Sequence, residues 1–182
     1  MVAWGRANRY NWIKFSAEGR DLVDKDDFRS AMSKFATGVT VVTSLDDDGE
    51  PHSMTANSFT SVCLEPATVL ICVAHGTHTH GYVEKQGRFG INILRDAQQE
   101  VGAYFAKRPE NRTGDVDYRY AEAEDGVPVL EESMVFLSCK VVGSHVYGDH
   151  TVFFGEVGEV RQESNGVPLM FYESRWYDPA SE

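Results

Sequence analysis

The spacing of apolar residues changes character several times along this chain. Between Asp24 and Gly38, Phe28, Met32 and Phe35 recur three and four residues apart with Ala31 beside them. That spacing predicts a short amphipathic helix packed by one face. Asp24 stands where a capping carboxylate belongs, Asp27 follows three residues later where a carboxylate can reach back, and Gly38 is a natural stop. From Val39 the pattern turns β-branched, with VTVVTSL running into the turn residues Asp46 to Gly49. HSMTANSFTSVCL and TVLICVA continue it, a meander of three or four strands. HTHGYVEKQG predicts a short helix ending at Gly87, RFGINIL a strand, and DAQQEVGAYFAKR a second helix with Val101, Tyr104 and Phe105 on one face. Residues 108–133 are polar and rich in turns, a long excursion of the kind that often carries function. SMVFLSCKVVGSHVY, the GDH turn, TVFFGEVGEVRQ, the turn Glu163 to Gly166 and VPLMFY complete the pattern as strands. Strands with short helices between them predict a closed or nearly closed antiparallel barrel, an arrangement that leaves few exposed edges.

Composition narrows the class. The chain has 182 residues, enough for one domain with a sizeable core. The formal net charge of -11 and the lack of a basic patch argue against nucleic acid or another polyanion as partner. No run approaches the roughly 18 apolar residues of a membrane helix, and MVAWGRANRYNWIKF lacks the continuous apolar block of a signal peptide. Cys63, Cys72 and Cys139 are scattered through apolar stretches, which reads as reduced core cysteines of a cytoplasmic protein.

Three segments hold candidate chemistry. AHGTHTH, Ala74 to His80, carries three of the six histidines. Zinc needs three or four convergent ligands, usually with cysteine or carboxylate help, and HxxHxH here has Glu84 as its closest acid. Exposed histidines on a polar loop are the plainer reading, with no metal bound. Thr77 and Thr79 between them are of more interest, because hydroxyls and free amides at a helix start suit a phosphate. MTANSFTSV, Met54 to Val62, sets Thr55, Asn57, Ser58, Thr60 and Ser61 within seven residues. It is either a polar strand on a solvated edge or a row of small donors and acceptors for a planar heteroaromatic ring. GDHTVFFGEV, Gly148 to Val157, puts His150 just after a turn. Asp149 beside it is weak evidence for a pair, since sequence neighbours rarely face each other. No GxSxG, P-loop or GxGxxG pattern is present.

Taken in order, FRSAMSKFATGVTVVTS, PHSMTANSFTSVCLEPATVLICV, GRFGINIL, YFAKR, GDHTVFFGEV and PLMFYESRWY resemble the flavin reductase domain family. These are the small NAD(P)H:flavin oxidoreductases that serve two-component monooxygenases. The resemblance spans residues 26–177 as one domain. It leaves an N-terminal arm, residues 1–25, and a tail, residues 178–182, outside. It implies a mainly β fold, an FMN-binding split β-barrel that is antiparallel and Greek-key-like with a few short helices, usually a homodimer. By position, Thr55, Ala56, Asn57 and Ser58 match the strand lining the isoalloxazine, and Ser61 and Val62 the adjoining wall. Thr77 and Thr79 match the loop that binds the flavin phosphate, with Arg88 and Phe89 opening the strand near it. Phe105 and Ala106 match a pair beside the flavin, His150 the histidine by the nicotinamide, and Arg175 and Trp176 the segment closing over the site. The chain departs from the family at Ala74, His75 and Gly76, where an acid or asparagine and a basic residue are usual, and at Cys63, where serine is common.

The function this implies is reduction of FMN or FAD by NADH or NADPH, the reduced flavin passing by diffusion to a partner oxygenase. His150 would position the nicotinamide rather than transfer a proton. The alternative within the same fold is a flavin-binding or electron-carrying protein without nucleotide turnover. A zinc protein built on the histidine cluster is a third. The aromatic arm, with Trp4, Tyr10, Trp12 and Phe15, would lie on a partner subunit or near the flavin mouth.

Overall fold

A computed structural model describes residues 23–163 and 166–177. The aromatic arm up to residue 22, the tail 178–182, and Ser164 and Asn165 of the predicted turn lie outside the described residues. In chain order the elements are α1 (Lys25–Met32), β1 (Thr37–Gly38), β2 (Thr40–Leu45), β3 (Pro51–Ala56), β4 (Phe59–Leu64), β5 (Ala67–Ala74), α2 (His78–Gln86) and β6 (Arg88–Ile93). Then come α3 (Gln99–Phe105), flanked by 3-10 turns at Asp96–Gln98 and Pro109–Asn111, β7 (Tyr120–Glu122), β8 (Pro128–Leu130), β9 (Val135–Tyr147), β10 (His150–Gln162), β11 (Met170–Tyr172) and β12 (Arg175–Tyr177).

Seven strands form one antiparallel sheet in the order β3-β2-β6-β9-β10-β5-β4. β3 and β4 follow each other in sequence yet are its two outer strands. The sheet therefore stays open between them, in keeping with the nearly closed, split arrangement expected. The cause lies in the link Asn57-Ser58. The Cys72 amide donates to the Ser58 carbonyl at 3.0 Å and the Ser58 hydroxyl donates to the Cys72 carbonyl at 2.7 Å. These two bonds tie the start of β4 to β5 and take it away from β3.

Alternate residues of the sheet point inward onto one core. Val42, Ile71, Val73, Phe89, Ile91 and Phe153 meet there, and α2 adds Val83. Two glycines let the packing close. A Cβ on Gly90 would lie 2.2 Å from Thr43 Oγ1, and one on Gly155 would lie 2.5 Å from Phe89 Cζ. A second cluster joins Val39, Val41, Leu94, Leu130 and Leu169 to Val101 and Phe105 of α3, with Tyr104 and Trp176 packed against it. The predicted face of α3 is thus the face it buries.

Three expectations change. Residues 108–133 are not merely a polar excursion: β7 pairs with β8, and Val127, Val129 and Phe136 form a third cluster. Asn92, fully buried, fastens it by accepting from the Leu130 amide at 2.8 Å and donating to the Val41 carbonyl at 3.0 Å. The helix α1 is capped by Asp24, whose carboxylate accepts from the Asp26 and Asp27 amides, but none of its residues is buried. Phe28 and Phe35 are 60% and 70% exposed, so no described residue covers the apolar face. Cys63 is exposed, because the outer strand β4 buries almost nothing, whereas burial pushes the Cys139 thiol up to about 12.

Candidate active site

Three segments converge on a cleft of about 280 Å³. His52 and Met54 of β3 form one wall. Ala74, Gly76, Thr77, His78 and Thr79, from the end of β5 into α2, form the second, and the run Phe105 to Glu110 with Arg112 the third. The second wall is a helix start with its cap in place. Thr77 Oγ1 accepts from the His80 amide at 3.3 Å and donates to the Ala74 carbonyl at 2.8 Å. The first-turn amides of a helix have no intrahelical carbonyl to bond, and the helix dipole is positive there. Thr79 is 1% exposed, and its Oγ1 lies 2.8 Å from Nε2 of His52 across the cleft wall. Burial, then the nearby Arg112 and His78, lower the His52 imidazole to about 4, so it is neutral at physiological pH.

Lys107, Arg108 and Arg112 bring three cations to the third wall, against one acid, Glu110. Arg112 is anchored. Its Nε donates to the Lys107 carbonyl at 3.2 Å, one terminal nitrogen donates to the Ser53 carbonyl at 2.7 Å, and the guanidinium sits 5.1 Å from the Phe105 ring centre and 5.7 Å from that of Tyr104. Arg112 thus pins the basic segment to β3. Sequence reasoning missed His52, Lys107, Arg108 and Arg112. KRPENR carried a signal, three cations within six residues of an acidic chain, but it fell at the start of the polar excursion, in which no individual residue stood out. His52 carried none.

Of the residues expected at a flavin site, Thr77, Thr79, Phe105 and Ala106 line this cleft. Thr55 stands next to Met54, with its hydroxyl donating to the Gly102 carbonyl at 2.7 Å, and the Ala56 carbonyl accepts from the Thr40 hydroxyl. Asn57 is exposed, Ser58 is bonded to Cys72, and Ser61 and Val62 are exposed on β4. These six surround the break between the outer strands, where edge backbone groups are unpaired. Arg88 and Phe89 stand apart from the cleft. Arg88 donates to the Asp125 carbonyl at 2.7 Å, and the Phe89 side chain is fully buried in the core. Arg175 is exposed on β12, and Trp176 packs on Phe171 and against Gly102 behind α3.

His150 opens β10 directly opposite Ala74, and the His75 amide donates to the Asp149 carbonyl at 2.9 Å. The GDH turn is therefore bonded to the loop that enters the cleft. The expectation that Asp149 and His150 would not face each other is corrected: Asp149 Oδ1 lies 2.7 Å from His150 Nδ1. A two-residue turn with Gly148 at φ 60° folds the carboxylate back onto the first residue of the strand. Of the loop histidines, His75 and His78 are exposed as expected, and only His80 departs from that. His80 is half-buried, and Nε2 of His75 and of His80 lie 3.0 Å and 2.8 Å from the same Thr151 hydroxyl. Among the described residues no group of three or more His, Cys, Asp or Glu is arranged to hold a metal.

The donor set fits the phosphate-bearing arm of a flavin: two threonines at a capped helix start, with three cations across the cleft. Met54 and Phe105 supply apolar surface beside it. Comparison with known proteins agrees. The family model described as flavin reductase like domain matches residues 32–180. A flavin reductase (NADPH) from Lentzea aerocolonigenes is 38% identical over 160 residues, covering 87% of this chain and 92% of that protein. HsaB, the reductase subunit of a flavin-dependent monooxygenase from Rhodococcus jostii, is 32% identical over 88% of this chain and 80% of its own length. The structure of the NADH:FAD oxidoreductase SgcE6 of Streptomyces globisporus, in complex with NAD and FAD fragments, superposes with a TM-score of 0.76 at 33% identity, covering 89% of this chain and 99% of the other. Sheet order, cleft chemistry and these likenesses lead to one assignment: the chain belongs to the flavin reductase family.

Proposed function

We propose that this chain is an NAD(P)H:flavin oxidoreductase that supplies reduced flavin to a partner monooxygenase. The observation that carries the reading is the bond between two sites. The capped helix start, with Thr77 and Thr79 facing Lys107 and Arg108, is joined through His75 and Asp149 to the turn that presents His150. An anion-binding cleft and a nucleotide-positioning histidine thus sit on one rigid connection. The flavin, when bound, supplies the ring that accepts hydride from the nicotinamide; the chain holds both in place.

The α2 start and the cations of the third wall hold the phosphate. The outer-strand segment Thr55 to Ser58 offers backbone and side-chain dipoles to the polar edge of the ring. Thr55 and Ser58 are themselves fixed by bonds to Gly102 and Cys72, so these dipoles are aligned before a ligand arrives. His150, held through Nδ1 by Asp149, offers its other nitrogen to the nicotinamide carboxamide or ribose. Orientation of this kind lowers a hydride-transfer barrier without a covalent step.

The working form is a homodimer in the cytoplasm. Its support is the apolar surface that a monomer would leave in water: Phe28, Met32 and Phe35 beside α1, Val142, Val146 and Tyr147 on the hairpin, and Leu64, 88% exposed, on β4. No helix among the described residues is long and apolar enough to cross a membrane. The test is oxidation of NADH and NADPH with FMN, FAD or no added flavin, beside light scattering of the same protein. Turnover that requires flavin, by a particle of twice the chain mass, is expected. Flavin binding without oxidation of either nucleotide would replace the reading with a flavin carrier.

A further inference from the structure

His52 and Thr79 join two walls of the cleft by one side-chain bond, Nε2 to Oγ1 at 2.8 Å. A threonine hydroxyl has one proton to give and two lone pairs to offer. The direction of this bond therefore decides what Thr79 can present to a ligand. If the imidazole accepts, the proton is used and Thr79 turns only lone pairs toward the cleft, which repel an anion. If the imidazole donates from Nε2, the Thr79 proton is free.

Neutral His52 can do either, and its surroundings keep it neutral. Burial is the main cause, Arg112 and His78 add to it, and Asp46 opposes them. Tyr82 of α2 holds the ring edge-on at 4.9 Å, and His78 lies 6.4 Å away. An anion in the cleft selects between the tautomers. A charge-assisted bond from the Thr79 hydroxyl is about twice as strong as a neutral one, and it forms only when His52 donates.

We propose that His52 is a positioning residue for the flavin phosphate: in its Nε2–H tautomer it donates to Thr79 Oγ1 and so makes the buried Thr79 hydroxyl a donor to the phosphate. The proposal rests on the reading of this cleft as the flavin site. It assigns specificity to a residue that acts through another. A flavin carrying phosphate gains from His52, and one without phosphate does not.

The experiment is a fluorescence titration of the full chain with riboflavin and with whichever of FMN and FAD binds more tightly. The variants are His52→Leu, His52→Gln, Thr79→Val and the double variant His52→Leu/Thr79→Val, each checked by thermal melting. His52→Leu should weaken the phosphorylated flavin about tenfold, the scale of one hydrogen bond to a charged group, and leave riboflavin within about twofold. His52→Gln, whose side-chain amide can donate near the Nε2 position, should retain binding. The double variant should bind no more weakly than Thr79→Val alone, because both changes remove the same bond. Equal losses for both ligands would overturn the proposal in favour of simple wall packing. Additive losses would overturn it by showing that His52 meets the ligand itself, and failure of Gln to rescue in a folded protein would exclude donation from Nε2. An unaltered chain that binds no flavin would overturn the reading of the cleft, and this proposal with it.

Discussion

Asp149 holds His150 by a 2.7 Å contact between Oδ1 and Nδ1, at the turn of the longest hairpin in the fold. A carboxylate on Nδ1 selects the tautomer that carries its proton there and leaves Nε2 as an acceptor. The same contact, through its hydrogen bond first, holds the Asp149 carboxyl below the usual carboxylate range. The pair is therefore intact above that range and is lost as pH falls through the lowered Asp149 value. His150→Ala is expected to raise KM for NAD(P)H or lower kcat while the flavin Kd stays unchanged. Asp149→Asn, which keeps an acceptor for Nδ1 but loses the charge, should reproduce this more weakly, about fivefold in kcat/KM, the scale of the difference between a charged and a neutral hydrogen bond. Steady-state kinetics decide it: unchanged constants for both variants would reduce the pair to a turn cap.

Thr77 caps α2 and also closes the loop onto Ala74. Thr77→Ala should cost about 1 kcal/mol of stability, as lost N-caps do. It should also weaken flavin binding, because the first-turn amides lose their fixed direction. Thr77→Ser should keep both properties. Denaturant melts paired with flavin titration separate the two effects.

Lys107 and Arg108 line the cleft, whereas Arg112 beside them is bound to Ser53 and Lys107 and stacked on aromatic rings. Paired Lys107→Gln and Arg108→Gln changes should therefore lower affinity for FMN or FAD about tenfold or more with the melting temperature unchanged. Arg112→Gln should lower both. Calorimetric titration and thermal melts of the two variants make the comparison; a paired variant with unaltered affinity would remove the third wall from the phosphate site.

Acid should act on the fold through His52. Its imidazole drops from an ordinary 6.5 to about 4 in the folded chain, so the unfolded chain binds the extra proton first. The sign follows: stability from this residue is complete above about 6.5 and is lost as pH falls toward about 4. His52→Gln should flatten the stability–pH curve within that window. Urea melts at pH 7 and pH 5 test it, and equal slopes for both proteins would show that His52 is not the group responsible.

The sequence patterns that proved readable were local ones. Gly87 ends α2 with φ 65°, and Val101 and Phe105 of the predicted α3 face are both buried. Each follows from residues a turn apart. What stayed hidden depends on distant partners. Nothing in HSMTA announces that His52 will meet Thr79, twenty-seven residues on. The burial of Asn92 is equally silent, because its partners Val41 and Leu130 lie fifty-one residues before it and thirty-eight after it. The sheet's failure to close reflects bonds from Ser58 to Cys72, a pairing invisible to any two-residue period. Recognition of an ordered motif set carried Thr77, Thr79, Phe105 and Ala106 to the cleft, while motif position alone drew in Phe89, which the core claims entirely.

The basic wall of the cleft is set into a chain whose net charge is -11. At separations beyond a Debye length, roughly 8 Å at physiological ionic strength, the acidic remainder of the chain is largely screened from an approaching nucleotide. Within that distance it feels Lys107, Arg108 and Arg112. A chain that is acidic as a whole can therefore still hold an anion at one place, because only the near cations count there. Added salt weakens those contacts as well, so the stay of a bound anion shortens as ionic strength rises.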